Sequence, residues 1–230
     1  PRADREVLEA LRDAQVLLPS APLPRRAPAQ PIDPAGIPLA TLVLEAAQAC
    51  NLRCTYCYAG GGSYGGEARV MRPELAARAA RHLVEASGDR ESVTLVLFGG
   101  EPLLNLPALK AAVLEGEAAA AERGKKLVVS ITTNGTRFTP EALDFLAEHR
   151  IGVSVSIDGP PDLHDANRPY VGTHGRGSYA DVVDGVARLR ERTGRPPAAR
   201  VTLNPDQWDG YAPARDRLLA VAHHHAIPLG

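Results

Sequence analysis

The three cysteines of the chain are its clearest chemical feature, because all of them fall within eight consecutive residues. They stand at Cys50, Cys54 and Cys57, at spacings of four and three. Three thiolates this close along one loop can bind three irons of a 4Fe-4S cluster, and the missing fourth cysteine leaves one iron open to a ligand from outside the protein. An open iron predicts chemistry at the cluster rather than simple electron storage.

Zinc binding and disulfide formation are the other uses of such a loop. Zinc accepts three cysteines and a histidine, but the nearest histidine after the loop, His82, lies in a segment that predicts helix. An odd number of cysteines in one short loop is not typical of a disulfide framework. The spacing therefore favours the iron-sulfur cluster, and we expect the cysteines to be reduced in use.

Composition limits the classes of partner. The formal net charge of -1 provides no basic surface for nucleic acid. No apolar run approaches the ~18 residues that a membrane span needs. With 44% hydrophobic residues, the chain of 230 residues can bury one sizeable core. We expect a soluble, cytoplasmic protein that binds neither nucleic acid nor membrane.

The N-terminal residues differ in pattern from the rest. Apolar residues in 4–18 recur with a helical period, which predicts a short amphipathic helix. Seven prolines between Pro19 and Pro38 exclude ordinary helix or central strand and predict an extended linker. We therefore divide the chain into a helix with a proline-rich linker, residues 1–38, and a main domain, residues 39–230.

Short apolar strands alternate with amphipathic helices from residue 39 onward. Strands are predicted over 39–46, 93–98, 127–132, 153–157 and 200–203, and helices over 73–86, 107–123, 139–149 and 179–192. This alternation predicts an α/β fold with a parallel sheet and right-handed crossovers. A polar motif follows each of the first four strands: the cysteines, Gly-Gly-Glu-Pro at 99–102, Thr-Asn-Gly at 133–135 and Asp-Gly-Pro at 158–160. Each alone is also an ordinary turn sequence, but together they are expected on one rim, where parallel sheets gather reactive groups.

The cysteine motif, with Tyr56 before its last cysteine, and the Gly-Gly-Glu-Pro one strand later resemble the radical S-adenosylmethionine enzymes. The resemblance extends over about residues 40–205 and implies a partial (β/α)6 TIM-like barrel. It implies a 4Fe-4S cluster on the three cysteines and S-adenosylmethionine on the open iron. In this family an electron from the cluster cleaves S-adenosylmethionine to a 5'-deoxyadenosyl radical, which abstracts a hydrogen atom from the substrate.

The resemblance also assigns roles to residues on the rim. Tyr56 is expected near the adenine, and the Gly99 and Gly100 backbone near the methionine amine. The amine is expected to donate to Glu101, and the methionine carboxylate to pair with Arg168. The other residues expected at the cofactor are Thr133, Asn134, Ser156 for the ribose or carboxylate, and Leu203, which packs on adenine or in the core.

Asp158 has three candidate roles: to meet the substrate, to bind the ribose or to cap a turn. We name Asp158 and Glu101 as the candidate catalytic residues. His164 and His174 are expected to be solvated loop histidines rather than proton relays. The run at 223–225 is expected to be an exposed polar run rather than a metal site.

Within this family, the chain resembles the peptide- and protein-modifying branch that has a C-terminal SPASM or twitch extension. The segments that carry this resemblance are 49–58, 97–104, 132–136, 156–160, Arg168-Pro169-Tyr170 and 175–178. This resemblance implies a ribosomally synthesised precursor peptide as substrate, a cyclophane-type carbon-carbon crosslink as product, and flavodoxin or ferredoxin as electron donor. Oxidation of the anaerobic sulfatase-maturase type is the alternative, and a non-catalytic iron-sulfur or zinc scaffold is another. Members of the branch carry further cysteines after the barrel, and this chain has none after Cys57. Together with the missing sixth strand, this leads us to expect part of a longer enzyme.

Overall fold

A computed structural model describes residues 36–172 and 175–202 of the chain. Within them, five parallel strands form one sheet in chain order, and each strand pairs with the next. The strands are β1 (Thr41–Ala47), β2 (Ser92–Gly99), β3 (Lys126–Thr133), β4 (Gly152–Ser156) and β5 (Ala198–Arg200). The α-helices are α1 (Pro73–Glu85), α2 (Leu106–Glu122), α3 (Pro140–Glu148), α4 (Pro161–Asn167) and α5 (Tyr179–Thr193). The predicted α/β class with a parallel sheet is confirmed.

The two faces of the sheet have different environments. Along each strand, alternate residues such as Leu95, Leu97 and Ile131 are buried in the core that the helices cover. Their neighbours on the other face are only partly covered, and Val43 is 55% exposed. Because side chains alternate across a strand, this pattern separates a helix-covered face from a more open face. The open face extends to the carboxyl ends of the strands.

Close helix packing depends on small residues. A Cβ on Gly116 of α2 would lie 3.4 Å from the Ala80 Cβ of α1 and 3.0 Å from a methyl carbon of Leu127. At the start of α3, the Thr139 side chain accepts a hydrogen bond from the Ala142 backbone N–H at 3.2 Å, as N-cap residues do. These local features fix the strand-helix units on which the rim depends.

Most predicted boundaries agree with the structure to within two residues, and one differs more. The fifth strand ends at Arg200 instead of extending to residue 203, because its partner β4 ends at Ser156, which is paired with Arg200. Helix α4 occupies a stretch that we predicted as loop. Four expectations lie outside the described residues: the N-terminal helix, Leu203, His174 and the histidines at 223–225. The predicted division of the chain at residue 38 remains a prediction.

None of the described helices has both the length and the apolar character that crossing a bilayer requires.

Candidate active site

The cysteine loop follows β1 and is held in place by the segment after α4. An antiparallel bridge joins Leu52 to Tyr170. Three backbone hydrogen bonds reinforce it, from Arg53 N to Pro169 O at 2.8 Å, from Thr55 N to Asn167 O at 2.9 Å and from Val171 N to Asn51 O at 3.1 Å. The conformation of the loop is therefore set by residues more than a hundred positions away in the sequence.

All three thiols are free, half-buried and supplied with N–H donors. The Cys50 sulfur accepts from the Leu52 backbone at 3.4 Å and from Asn134 Nδ2 at 3.6 Å. The Cys57 sulfur accepts from the Gly61 backbone at 3.4 Å, and the Cys54 sulfur lies 3.8 Å from Arg168 Nη1. Hydrogen bonds of this kind stabilise and tune cluster thiolates.

Burial raises the pKa of the Cys50 thiol to about 11, and burial likewise raises the pKa of Cys54. A bound metal centre reverses this, because it holds its thiol ligands deprotonated. Cys50 and Cys54 therefore need a metal partner if they are to act as thiolates at neutral pH.

A cavity of about 390 Å³ opens beside the cysteines, within the size range typical of small-molecule sites. All three cysteines line it. So do seven of the residues that we predicted for the cofactor: Tyr56, Gly99, Gly100, Thr133, Asn134, Ser156 and Arg168. The two candidate catalytic residues, Glu101 and Asp158, are not among the lining residues. The described residues that we expected at the cluster and the cofactor therefore do line one cavity, except for the two candidate catalytic residues, Glu101 and Asp158.

Gly99 and Gly100 are required by the protein itself. Gly99 has a φ of +140°, and a Cβ there would lie 2.5 Å from the Ala47 carbonyl oxygen. A Cβ on Gly100 would clash with the Ala49 carbonyl group. Because the end of β2 packs directly on the start of the cysteine loop, any side chain here would displace that loop. We had expected bare backbone for approach to the methionine amine, and this packing is a sufficient reason of its own.

Glu101 corrects one prediction. Its side chain is fully buried, with Oε1 accepting from Leu103 N at 3.0 Å and Thr133 Oγ1 at 2.8 Å, and Oε2 accepting from Asn134 N at 2.8 Å. Burial raises the pKa of this carboxyl, and the three hydrogen bonds oppose that rise. With no exposed surface, Glu101 cannot accept the predicted hydrogen bond from a ligand amine. It joins the ends of β2 and β3 and thereby positions Asn134 beside Cys50.

Asp158 is also a buried partner of other protein groups. Its oxygens receive Arg168 Nε at 2.9 Å and Arg168 Nη2 at 3.1 Å, the Tyr56 hydroxyl at 2.5 Å, and the Thr202 backbone N–H at 3.2 Å. The carboxylate is inaccessible, with a side-chain exposure of 0%. Of the three roles that we considered, neither substrate contact nor ribose contact is open to it. It holds Arg168 and Tyr56 in place.

The Asp158 contact also changes the expected role of Arg168. Burial alone would lower the pKa of the guanidinium, but the Asp158 carboxylate outweighs burial and raises it. Asp158 takes the Nε side of the guanidinium, with one bond from Nε and one from Nη2, so the two-point contact that we predicted with a methionine carboxylate would have to use Nη1 and the second N–H of Nη2. Nη1 faces the Cys54 sulfur. The guanidinium lies 5.2 Å from the centre of the Tyr56 ring, in cation-π contact.

His164 is fully buried, contrary to the expected solvated loop histidine. Its Nδ1 accepts from the Asp158 backbone N–H at 3.3 Å, and its Nε2 lies 3.0 Å from Ser178 Oγ, which donates to the Arg168 carbonyl at 2.7 Å. Because Nδ1 is an acceptor and the serine hydroxyl is used as a donor, the neutral Nε2–H tautomer fits. Burial, followed by the charge of Arg168, lowers the pKa of His164 to about 4. The ring therefore positions Asp158 and Arg168.

Two polar residues at the site escaped the sequence analysis. Asn51 accepts from Asn134 Nδ2 at 2.9 Å and donates to Thr136 Oγ1 at 2.8 Å. Thr136 in turn donates through its backbone to Asn134 Oδ1 at 3.0 Å. This network ties the cysteine loop to the loop after β3. The position of Asn51 inside the cysteine motif was the signal that could have identified it.

The donor set fits a cluster better than a single ion. Across the residues that the structure describes, no three His, Cys, Asp or Glu side chains come together as a site for one metal ion. A cube of four irons spreads its thiolates further apart than a tetrahedral zinc ion does, and here the three thiols surround an open cavity.

Comparison with known proteins agrees with this assignment. The profile of the Radical SAM superfamily matches residues 44–206. The chain belongs to the radical SAM superfamily. The predicted cofactors, a 4Fe-4S cluster and S-adenosylmethionine, are the ones that radical SAM enzymes use, and the three cysteines and the cavity are where this chain can hold them.

Curated relatives narrow the comparison within the radical SAM enzymes. The chain is 33% identical over 139 residues to a cysteine-type anaerobic sulfatase-maturating enzyme of Clostridium perfringens, matching 57% of this chain and 36% of that one. It is 31% identical over 165 residues to the serine-type enzyme of Bacteroides thetaiotaomicron, matching 69% and 38%. It is 26% identical over 141 residues to the radical SAM cyclopropyl synthase TigE of Paramaledivibacter caminithermalis, matching 56% and 29%. The matches thus span between 29% and 38% of these relatives' lengths.

Solved structures share the fold. Native anSMEcpe with bound AdoMet superposes with a TM-score of 0.70 at 22% identity, covering 84% of this chain and 50% of that one. The same enzyme with AdoMet and the Cp18Cys peptide gives the same values. At this identity the likeness concerns the fold, and it confirms the TIM-barrel-like arrangement that we predicted.

Proposed function

We propose that this chain is the catalytic core of a radical SAM maturase that oxidises a residue of a peptide or protein substrate. The observation that carries the proposal is the convergence of Cys50, Cys54 and Cys57 with Asn134 and Arg168 around one open cavity. When bound there, the cluster and S-adenosylmethionine would supply a 5'-deoxyadenosyl radical for hydrogen abstraction. The protein's own residues hold the loop, shield the site and orient the ligand.

Arg168 is proposed to bind the carboxylate of S-adenosylmethionine through the Nη1 and Nη2 donors that Asp158 leaves unused. Its fixed pairing with Asp158 makes it a rigid, preorganised donor, which suits the placement of a small ligand. Ser156, Thr133 and Asn134 add polar groups at the ends of β4 and β3. Tyr56 is held by its hydroxyl, and its ring forms part of the wall against which adenine would pack.

Oxidation of the sulfatase-maturase type is the first candidate reaction, since two of the relatives described above are sulfatase-maturating enzymes. The cyclophane crosslink is the second candidate, supported by the likeness to a cyclopropyl synthase. The Tyr170 and 175–178 segments, which had favoured crosslinking, have structural roles here. Arg176 lies 4.8 Å from the centre of the Tyr170 ring, and both side chains bond Asp181, next to the bridge that holds the cysteine loop.

Three further proposals accompany this function. Flavodoxin or ferredoxin remains the proposed electron donor, and a ribosomally synthesised precursor peptide the proposed substrate of the crosslinking alternative. The cytoplasm remains the proposed location.

The test is anaerobic reconstitution with iron and sulfide, followed by reaction with S-adenosylmethionine and dithionite. We expect a brown protein that releases 5'-deoxyadenosine, and a Cys54→Ala variant that does neither. Mass spectrometry of cysteine-, serine- and aromatic-containing peptides then separates the candidates. A crosslink removes two hydrogens and blocks backbone fragmentation between the joined residues, whereas oxidation at one cysteine or serine leaves fragmentation intact. Full cluster loading without 5'-deoxyadenosine release would refute the proposal.

A further inference from the structure

Glu45 is a partly buried carboxylate with no cationic partner among the described residues. It lies near the carboxyl end of β1 on the open face of the sheet, in register with Phe98, which lines the cavity. Within residues 36–172 and 175–202, no lysine or arginine forms an ion pair with it. Its described side-chain partner is the Tyr64 hydroxyl, which donates to Oε1 at 2.5 Å.

Tyr64 is held towards Glu45 by an unusual backbone. Its φ is +53°, in the left-handed region that bulky residues rarely occupy. The surrounding glycines at 60, 61, 62 and 65 also have positive φ and give the loop this path. An aromatic residue kept in such a conformation next to Tyr58, which lines the cavity, suggests a role in binding.

Tyr58 completes the cluster. Its side chain is 77% exposed although it lines the cavity, and its ring packs edge-to-face on Tyr64 with the centroids 6.0 Å apart. Tyr58 follows Cys57 directly, so its backbone is fixed by the cysteine loop. Tyr64 thus connects the Glu45 carboxylate to the Tyr58 ring, which lines the cavity.

We propose that Glu45, Tyr58 and Tyr64 form a subsite for a lysine or arginine side chain of the substrate, close to the residue that is modified. A carboxylate attracts a cation, and the electron-rich faces of tyrosine rings add cation-π attraction. The same groups repel an acidic side chain and give a neutral one little. This inference rests on the proposed peptide or protein substrate and adds a specificity to it.

Glu45 and Arg168 belong to different polar clusters. Arg168 is bound to Asp158 and faces the Cys54 sulfur, whereas Glu45 is bound to Tyr64. S-adenosylmethionine at Arg168 and a substrate cation at Glu45 would therefore use different groups of the protein.

The test uses two fluorescein-labelled octapeptides with a central cysteine, one with a lysine beside it and one with norleucine in its place. Fluorescence anisotropy with the reconstituted chain and S-adenosylmethionine gives both dissociation constants. We expect about tenfold tighter binding of the lysine peptide by the unmodified chain. Glu45→Gln should reduce that ratio to about one, and Glu45→Lys should reverse it in favour of the norleucine peptide.

Glu67→Gln is the matched control. Glu67 lies shortly after the same loop, is exposed, and pairs with Arg69 at 3.0 Å. It should leave the preference unchanged. Equal binding of the two peptides by the unmodified chain, including no binding of either, would overturn the inference. So would a preference that survives Glu45→Gln. Release of 5'-deoxyadenosine by the unmodified chain without peptide is measured separately, so failure of the proposed function gives a different result.

Discussion

Replacing Asp158 by asparagine should destabilise the chain strongly. The carboxylate is buried and holds both the Arg168 fork and the Tyr56 hydroxyl. Asparagine keeps one acceptor oxygen and turns a donor towards groups that are themselves donors. Removing one partner of a buried ion pair typically costs 3–5 kcal/mol, since the remaining charge stays buried without compensation. We therefore expect the free energy of unfolding to fall by about 3–5 kcal/mol.

Urea unfolding followed by circular dichroism measures this loss on the chain without metal, under reducing conditions. Asp144→Asn is the matched control, because Asp144 pairs with Arg192 at 2.6 Å while both side chains are about half exposed. An exposed pair contributes about 0–1 kcal/mol. A double variant with Arg168→Met should recover part of the Asp158→Asn loss, because it removes the uncompensated charge. Equal effects of Asp158→Asn and Asp144→Asn would refute the reasoning.

Three other predictions follow from the site. His164 is neutral when folded because its pKa falls from its ordinary 6.5 to about 4, so the unfolded chain takes up the proton first as the pH drops. The contribution of this ring to the free energy of unfolding is complete above pH 6.5 and decreases by about 3 kcal/mol towards pH 4. The free energy of unfolding, measured across this range, should depend less on pH in His164→Gln. An unchanged slope would contradict the assignment. Gly100→Ala should abolish iron loading, measured as iron per chain, because its Cβ meets the Ala49 carbonyl. Gly152→Ala, whose Cβ has only ordinary contacts at 3.6 Å, should load normally, and equal loading of the two variants would refute the packing argument. Glu101→Gln should cost about 1–3 kcal/mol in urea unfolding, because a buried amide then faces backbone donors, and a change within measurement error would contradict its assigned role.

Local sequence was sufficient to predict the five strands, four of the five described α-helices and the rim. Strand and helix periods depend on neighbouring residues, and the carboxyl ends of parallel strands meet wherever such a sheet forms. The three cysteines needed only their spacing. The family resemblance, rather than these patterns, led us to expect Tyr56, Ser156 and Arg168 together, and all three line the cavity.

The partners of the charged side chains could not be predicted, because they come from distant parts of the chain. The sequence predicts a ligand-binding carboxylate at Glu101, but the end of β3 and the loop after it supply hydrogen-bond donors to both of its oxygens. The sequence predicts an unpaired guanidinium at Arg168, but the Asp158 carboxylate, ten residues earlier, pairs with its Nε and Nη2. His164 reads as a loop residue because helix α4 is short and begins within a proline-rich turn. The burial and the partners of these side chains depend on tertiary packing, which local sequence patterns do not predict.

The central claim is that the three cysteines hold a cluster whose open iron binds S-adenosylmethionine in the adjoining cavity. Electron paramagnetic resonance of the reduced, reconstituted chain tests it directly. The claim predicts a reduced 4Fe-4S signal that changes on addition of S-adenosylmethionine and is lost in Cys54→Ala. A cluster signal that stays the same with saturating S-adenosylmethionine, or one that survives Cys54→Ala, would contradict it.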